Sequence, residues 1–156
     1  TKGRYAVMAM VDLATQSPDK PVTLAAIAER QEIPLAYLEQ IFSKLKRRNI
    51  VASVRGPGGG YKLFKAADSM SIASIVLAAE EDMTMTRCGG SEKPGCMASN
   101  KARCLTHDLW EGLEHQIEHY LQSITLADVC GRTIKEKFPR AAGTMFAQLL
   151  GDAARA

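Results

Sequence analysis

Hydrophobic positions fall into short stretches of differing period along the first 80 residues. Arg4 to Thr15 is almost wholly apolar or small, without Gly or Pro, and reads as a buried helix. Ser17-Pro18-Asp19-Lys20-Pro21 breaks it. Thr23 is placed to cap a second helix over Leu24–Gln31, with Leu24, Ile27 and Ala28 on one face. After a break at Glu32-Ile33, Pro34 suits the first position of a third helix that runs to about Arg48. There Leu38, Ile41, Phe42 and Leu45 recur at i, i+3, i+4 and i+7, and the opposite face carries Tyr37, Gln40, Ser43, Lys44 and Arg47.

The period then changes. Ile50 to Arg55 is rich in β-branched residues, Gly56-Pro57-Gly58-Gly59-Gly60 forces a turn, and Tyr61 to Lys65 reads as the returning strand. Ser71 is placed to cap a fourth helix through Ala79. Residues 81–104 lack apolar periodicity and read as a loop. Leu105 to Ser123 reads as a long helix with an apolar stripe of Leu109, Trp110, Leu113, Ile117, Leu121 and Ile124, and the segment after Cys130 suits one further helix. Three helices followed by a β-hairpin is the element order of a winged helix-turn-helix, so the predicted fold is mainly α with a two-stranded wing.

Composition agrees with a soluble globular domain: 46% of the 156 residues are hydrophobic and 24% charged. The longest uncharged apolar stretch, Ser69 to Ala79, is too short to span a bilayer, and no secretory leader opens the sequence. A cytoplasmic protein without a membrane partner is therefore expected. The net charge of +3 conceals an asymmetry: residues 1–65 carry 11 Lys/Arg against 5 Asp/Glu, and the remainder 9 against 12. A basic N-terminal half on a weakly acidic C-terminal half suggests a polyanion-binding module joined to a second function. No nucleophile–base order or paired-carboxylate motif is present, so no enzymatic activity is expected.

Duplex DNA is the polyanion that suits this order of elements. In such folds the third helix enters the major groove, and the basic hairpin tip reaches an adjacent minor groove. Gly56, Gly58 and Gly59 let the tip turn sharply near phosphates, and Arg55 offers a guanidinium to a narrow minor groove. A phosphate-binding P-loop is excluded, because a strand rather than a Gly-Lys-Ser/Thr helix start follows the glycines.

The loop carries different chemistry. Cys88, Cys96 and Cys104 are spaced C-x7-C-x7-C, and His107 follows two residues beyond Cys104. Three thiolates and an imidazole are enough for a zinc ion or a 2Fe–2S cluster, and the wide even spans lean towards the cluster. Cys130 reads as an inert core thiol. His115 and His119, set among Glu111, Glu114 and Glu118, read as a solvated helix face.

The segments T-K-G-R-Y-A-V-M-A-M at 1–10, L-A-Y-L-E-Q-I-F at 35–42, S-V-R-G-P-G-G-G-Y at 53–61 and C-L-T-H-D-L-W at 104–110 together strongly resemble the bacterial iron–sulfur cluster regulators of the IscR type. The resemblance covers about residues 1–129. It implies a homodimeric transcription factor that binds an operator and senses a 2Fe–2S cluster on Cys88, Cys96, Cys104 and His107; a 4Fe–4S cluster belongs to a related branch. It also implies that Tyr37, Glu39 and Gln40 read bases, with Lys44 and Arg47 beside them and Arg55 in the minor groove. Four regions follow: a DNA-binding domain at 1–80, a cluster loop at 81–104, a dimerisation helix at 105–129 and a tail at 130–156. Two features depart from the pattern, the longer cysteine spans and Ala36 in place of a serine. The related nitric-oxide-sensing branch takes an acid from its opening segment as fourth ligand, and Thr1 to Met10 has none, which favours His107.

Overall fold

The computed structural model describes residues 2–16, 20–79 and 104–138. Its first element, α1 (Lys2–Gln16), buries Ala6, Ala9, Met10 and Leu13 and packs against α2 (Leu24–Gln31), α3 (Leu35–Arg47) and α4 (Ile72–Ala79). Thr23 caps α2 by accepting a 3.2 Å hydrogen bond from the Ala26 N–H. Glu32 then reverses the chain at φ 53°, and its N–H closes on the carbonyls of Ala28 and Glu29. The predicted stripe of α3 is the centre of the core: Leu38, Ile41, Phe42 and Leu45 are all buried.

The wing pairs β1 (Val51–Val54) with β2 (Gly60–Leu63) in antiparallel register, Val51 opposite Leu63 and Val54 opposite Gly60. A second backbone pair anchors it. Val22 N–H donates to Tyr61 O at 2.9 Å, and Tyr61 N–H donates to Val22 O at 2.8 Å. Beyond a 3-10 turn at Ala67–Ser69, Ser71 caps α4 through the Ser74 N–H, as expected.

The long helix is α5 (His107–Ser123), followed by the short helices α6 (Leu126–Cys130) and α7 (Ile134–Lys137). Its C-terminal end is stitched by backbone to the start of α4. Ile72 N–H donates to Ile124 O, and Leu126 N–H donates to Met70 O, each at 2.8 Å. Ile124 and Leu126 thereby join the same core as α1 and α3. Thr125 and Asp128 form a capping box on α6. The hydrogen bond from Lys137, together with those from Thr125, holds the Asp128 carboxyl well below the usual carboxylate range. Cys130 packs against the core, and burial raises its thiol pKa, which fits an inert thiol.

Several predicted boundaries move, the first helix to Lys2–Gln16 and the first strand to Val51–Val54 among them. Pro34 is the residue before α3 rather than its first, with ψ 128°, and its carbonyl accepts from Tyr37 and Leu38. The returning strand starts at Gly60, opposite Val54, and ends at Leu63, opposite Val51, with one further hydrogen bond from Phe64 N–H to Ile50 O at the hairpin base. The long helix starts at His107, because Leu105 and Thr106 form the turn that leads into it.

A buried charge holds α1 to α2. Asp12, 4% exposed, accepts from Arg30 through both carboxylate oxygens, with Nη2 at 2.6 Å, and from Gln31 Nε2 at 2.9 Å. Burial alone would raise the Asp12 pKa, but the hydrogen bonds from Arg30 and Gln31 and the Arg30 charge outweigh it and hold it below the ordinary value. A pKa lower in the folded than in the unfolded state means that the pair stabilises above the unfolded value, about pH 4, and less as pH falls through the folded one. Asp12→Asn is expected to cost about 2 kcal/mol at pH 7, since it leaves a half-paired Arg30 against a buried amide. The difference between thermal melts of the two proteins should shrink as pH falls below about 4; a pH-independent difference would refute the pairing as its source.

Candidate functional site

Two surfaces carry the chemistry. The first is α3 with the wing. Because the core stripe of α3 faces inward, the helix turns Ala36, Glu39, Gln40, Ser43 and Arg47 outward, with Tyr37 and Lys44 at the margins. Tyr37 is propped by Tyr5 of α1 in an edge-on contact, with ring centroids 5.8 Å apart. The wing is registered to the helix from within: Tyr61 of β2 meets Phe42 edge-on at 5.0 Å, on the buried face of the helix whose outer face would read bases. The second backbone pair, Val22 with Tyr61, ties that strand to the approach to α2.

At the wing tip Arg55, Gly56, Pro57 and Gly58 are exposed, with Gly56 at φ +104° and Gly58 at φ +76°. Gly60 is required for a different reason. A Cβ there would lie 2.5 Å from the Val22 carbonyl carbon, closer than real contacts allow. All nine residues predicted to contact DNA therefore lie among the described ones, on α3 and the wing. Lys2 and Arg4, at the start of α1, are further exposed basic residues that the sequence reading left out of the interface.

The second surface is the start of α5. Cys104 is half-buried, with Sγ 3.6 Å from Thr106 Oγ1, and its carbonyl accepts from the His107 N–H at 3.0 Å. This turn places a thiol and an imidazole one helical turn apart. His107 is only 3% exposed, so it is not a solvated capping residue. A buried imidazole beside a partly accessible thiol suits a soft-metal site, and these two donors fit a cluster ligand set. Cys88 and Cys96 lie outside the described residues. His107, Asp108 and Glu111 also bring one donor atom each within 4.8 Å of one another. The sequence reading gave the two acids no part there, although their spacing from His107, i+1 and i+4, was visible.

Further along α5 the apolar stripe is largely exposed among the described residues: Leu109 is 65% exposed, Trp110 42%, Leu113 40% and Ile117 37%, while Tyr120 beside it meets Phe138 edge-on at 4.8 Å. Leu121 and Ile124 of the same stripe turn towards the core. His115 and His119 are exposed, on the solvated side as expected. Among the described residues, no helix is long and apolar enough to cross a membrane.

Comparison with known proteins places the chain in a family of regulators. The Rrf2 family, described as iron-dependent transcriptional regulators, matches residues 1–132. The HTH-type transcriptional regulator IscR of Yersinia pestis is 52% identical over 129 residues, which cover 83% of this chain and 76% of the relative. Its namesake in Erwinia tasmaniensis is 51% identical over the same shares. Among solved structures, T. potens IscR superposes with a TM-score of 0.66 at 34% identity, covering 95% of this chain and 93% of that one. CymR, the global cysteine regulator of B. subtilis, gives 0.67 at 29% identity, covering 85% and 95%.

Proposed function

The chain belongs to the Rrf2 family of iron-dependent transcriptional regulators, and on that premise we propose that it is a homodimeric, cytoplasmic regulator that binds a 2Fe–2S cluster and reads an operator with α3 and the wing. It is a DNA-binding regulator of the IscR kind rather than an enzyme. The observation that carries the reading is the joint placement of an outward polar face on α3 and a glycine-rich, Arg-bearing wing, registered by the Phe42–Tyr61 contact. Control of genes for cluster assembly is the role that this implies.

Each part has a physical task. Tyr37, Glu39 and Gln40 present donors and acceptors to base edges, whereas Lys44 and Arg47 neutralise phosphates and set position. Glu39 accepts but cannot donate, so it favours a cytosine amino group and penalises an acceptor in the same place. Cys88, Cys96, Cys104 and His107 are the proposed ligands, three thiolates and one neutral imidazole. A bound cluster supplies an iron- and redox-dependent tie between the loop and the start of α5. The exposed stripe of α5 packs against its copy, which sets the spacing of two reading heads on a two-fold operator. Ligation then biases that spacing between states the fold already allows.

Anaerobic purification, with iron and sulfide quantification and an EPR spectrum of the reduced protein, tests the cluster. Two irons and two sulfides per chain are expected, and one zinc in a colourless protein would refute it. For the wing, Arg55→Ala is expected to weaken operator binding by about 10- to 100-fold and to reduce the log–log salt slope by about one. Unchanged binding would remove Arg55 from the interface.

A further inference from the structure

We infer that Glu111 positions His107 for ligation, its carboxylate accepting a hydrogen bond from Nε2–H so that Nδ1 is the nitrogen left to bind metal. This rests on the proposed reading of His107 as a cluster ligand, and it concerns residues of this chain that the ligand set itself leaves out.

His107 opens α5 and Glu111 follows one turn later, so the two side chains share a face of the helix. Glu111 Oε1 lies 3.7 Å from His107 Nε2, and that nitrogen is enclosed from solvent. The distance exceeds a hydrogen bond by less than 1 Å. Two other acids of α5 serve as comparisons. Glu118, further along α5, is exposed, whereas the Glu111 side chain is only 22% so, drawn in towards the ring. Asp108 is exposed and adjacent in sequence, so it is the less enclosed carboxylate of the group around His107.

A neutral imidazole has one N–H and one lone pair, and the hydrogen bond made by one nitrogen decides which nitrogen ligates. A carboxylate in that place also makes the ligating nitrogen more basic, and losing such a partner commonly lowers metal affinity 10- to 100-fold. Glu111 thus acts through His107 and needs no contact with the metal.

The experiment compares wild type with Glu111→Leu, Glu111→Gln, Glu118→Leu and His107→Ala. Nitrogen-15 imidazole NMR of the metal-free proteins, at about pH 8 where an ordinary imidazole is neutral, reads the tautomer. The rate at which a chelator bleaches the reconstituted cluster under anaerobic conditions reads the ligation. Expected are an Nε2–H tautomer in wild type and Glu118→Leu, loss of that preference in Glu111→Leu, and a cluster half-life shortened about 10- to 100-fold in Glu111→Leu. Glu111→Gln, whose amide oxygen still accepts, should fall between the two. An Nδ1–H tautomer in wild type, or wild-type tautomer and half-life in Glu111→Leu while His107→Ala loses its cluster quickly, overturns the inference and leaves the ligand assignment standing. A wild-type half-life in His107→Ala overturns the ligand assignment, and the inference with it.

Discussion

Replacing Leu113 and Ile117 together with Asp is expected to turn the proposed dimer into monomers and to lower operator affinity by at least about 100-fold. Both side chains stand on the exposed stripe of α5, 40% and 37% exposed among the described residues, so the chain alone loses little when they become polar. In a dimer the two substitutions place four carboxylates in a face that would otherwise exclude water. At several kcal/mol for each unpaired buried charge, the cost exceeds the roughly 4 kcal/mol that corresponds to a thousandfold loss of association. Operator binding follows because each head alone reads only a half-site. Sedimentation equilibrium and an operator titration measure the two effects, and an unchanged circular dichroism spectrum certifies the fold. A variant that remains dimeric would place the interface elsewhere.

The second large effect is expected at Gly60. Its missing side chain lets β2 approach the Val22 backbone, and even a methyl group would lie 2.5 Å from the Val22 carbonyl carbon. Gly60→Ala should therefore break the two Val22–Tyr61 hydrogen bonds, worth about 1 kcal/mol each, and free the wing from the core. A loss of about 2 kcal/mol corresponds to a melting shift of about 4–8 °C for a domain of this size. Operator affinity should fall by about tenfold or more, because Arg55 then no longer has a fixed approach. Gly58→Ala provides the comparison: an added Cβ there meets nothing within 4 Å, although the backbone conformation is still disfavoured. Equal binding losses in the two variants would show that the Val22 contact is not what matters.

What could be read from the sequence and what could not divide along physical lines. The stripe Leu38, Ile41, Phe42 and Leu45, the Thr23 and Ser71 caps and the Gly-rich turn each depend on residues a few positions apart, so spacing reveals them. The Asp12–Arg30 pair spans 18 positions, and Asp12 sits in a run that otherwise looks simply apolar; nothing local marks it as buried and paired. The stitching of Met70 and Ile72 to Leu126 and Ile124 links segments more than 50 residues apart through main-chain atoms, which leave no side-chain signature. The Thr125–Asp128 box has a local T-x-x-D signature, but it opens a helix of only five residues, too short for apolar periodicity to mark. At the site, three of the four proposed ligands are marked by cysteine spacing. Glu111 was passed over because an acid on a polar helix face is ordinary until the ring beside it proves to be buried.

The backbone stitch at the end of α5 makes the helix a lever. The 17 residues from His107 to Ser123 span about 25 Å, with the proposed ligands at one end and the joint to the DNA-binding half at the other. A sideways shift of about 2 Å at the ligand end then equals a tilt of about 5° about that joint. Arm length sets this gearing: the longer the helix, the smaller the angle delivered at the joint per ångström of shift at its far end.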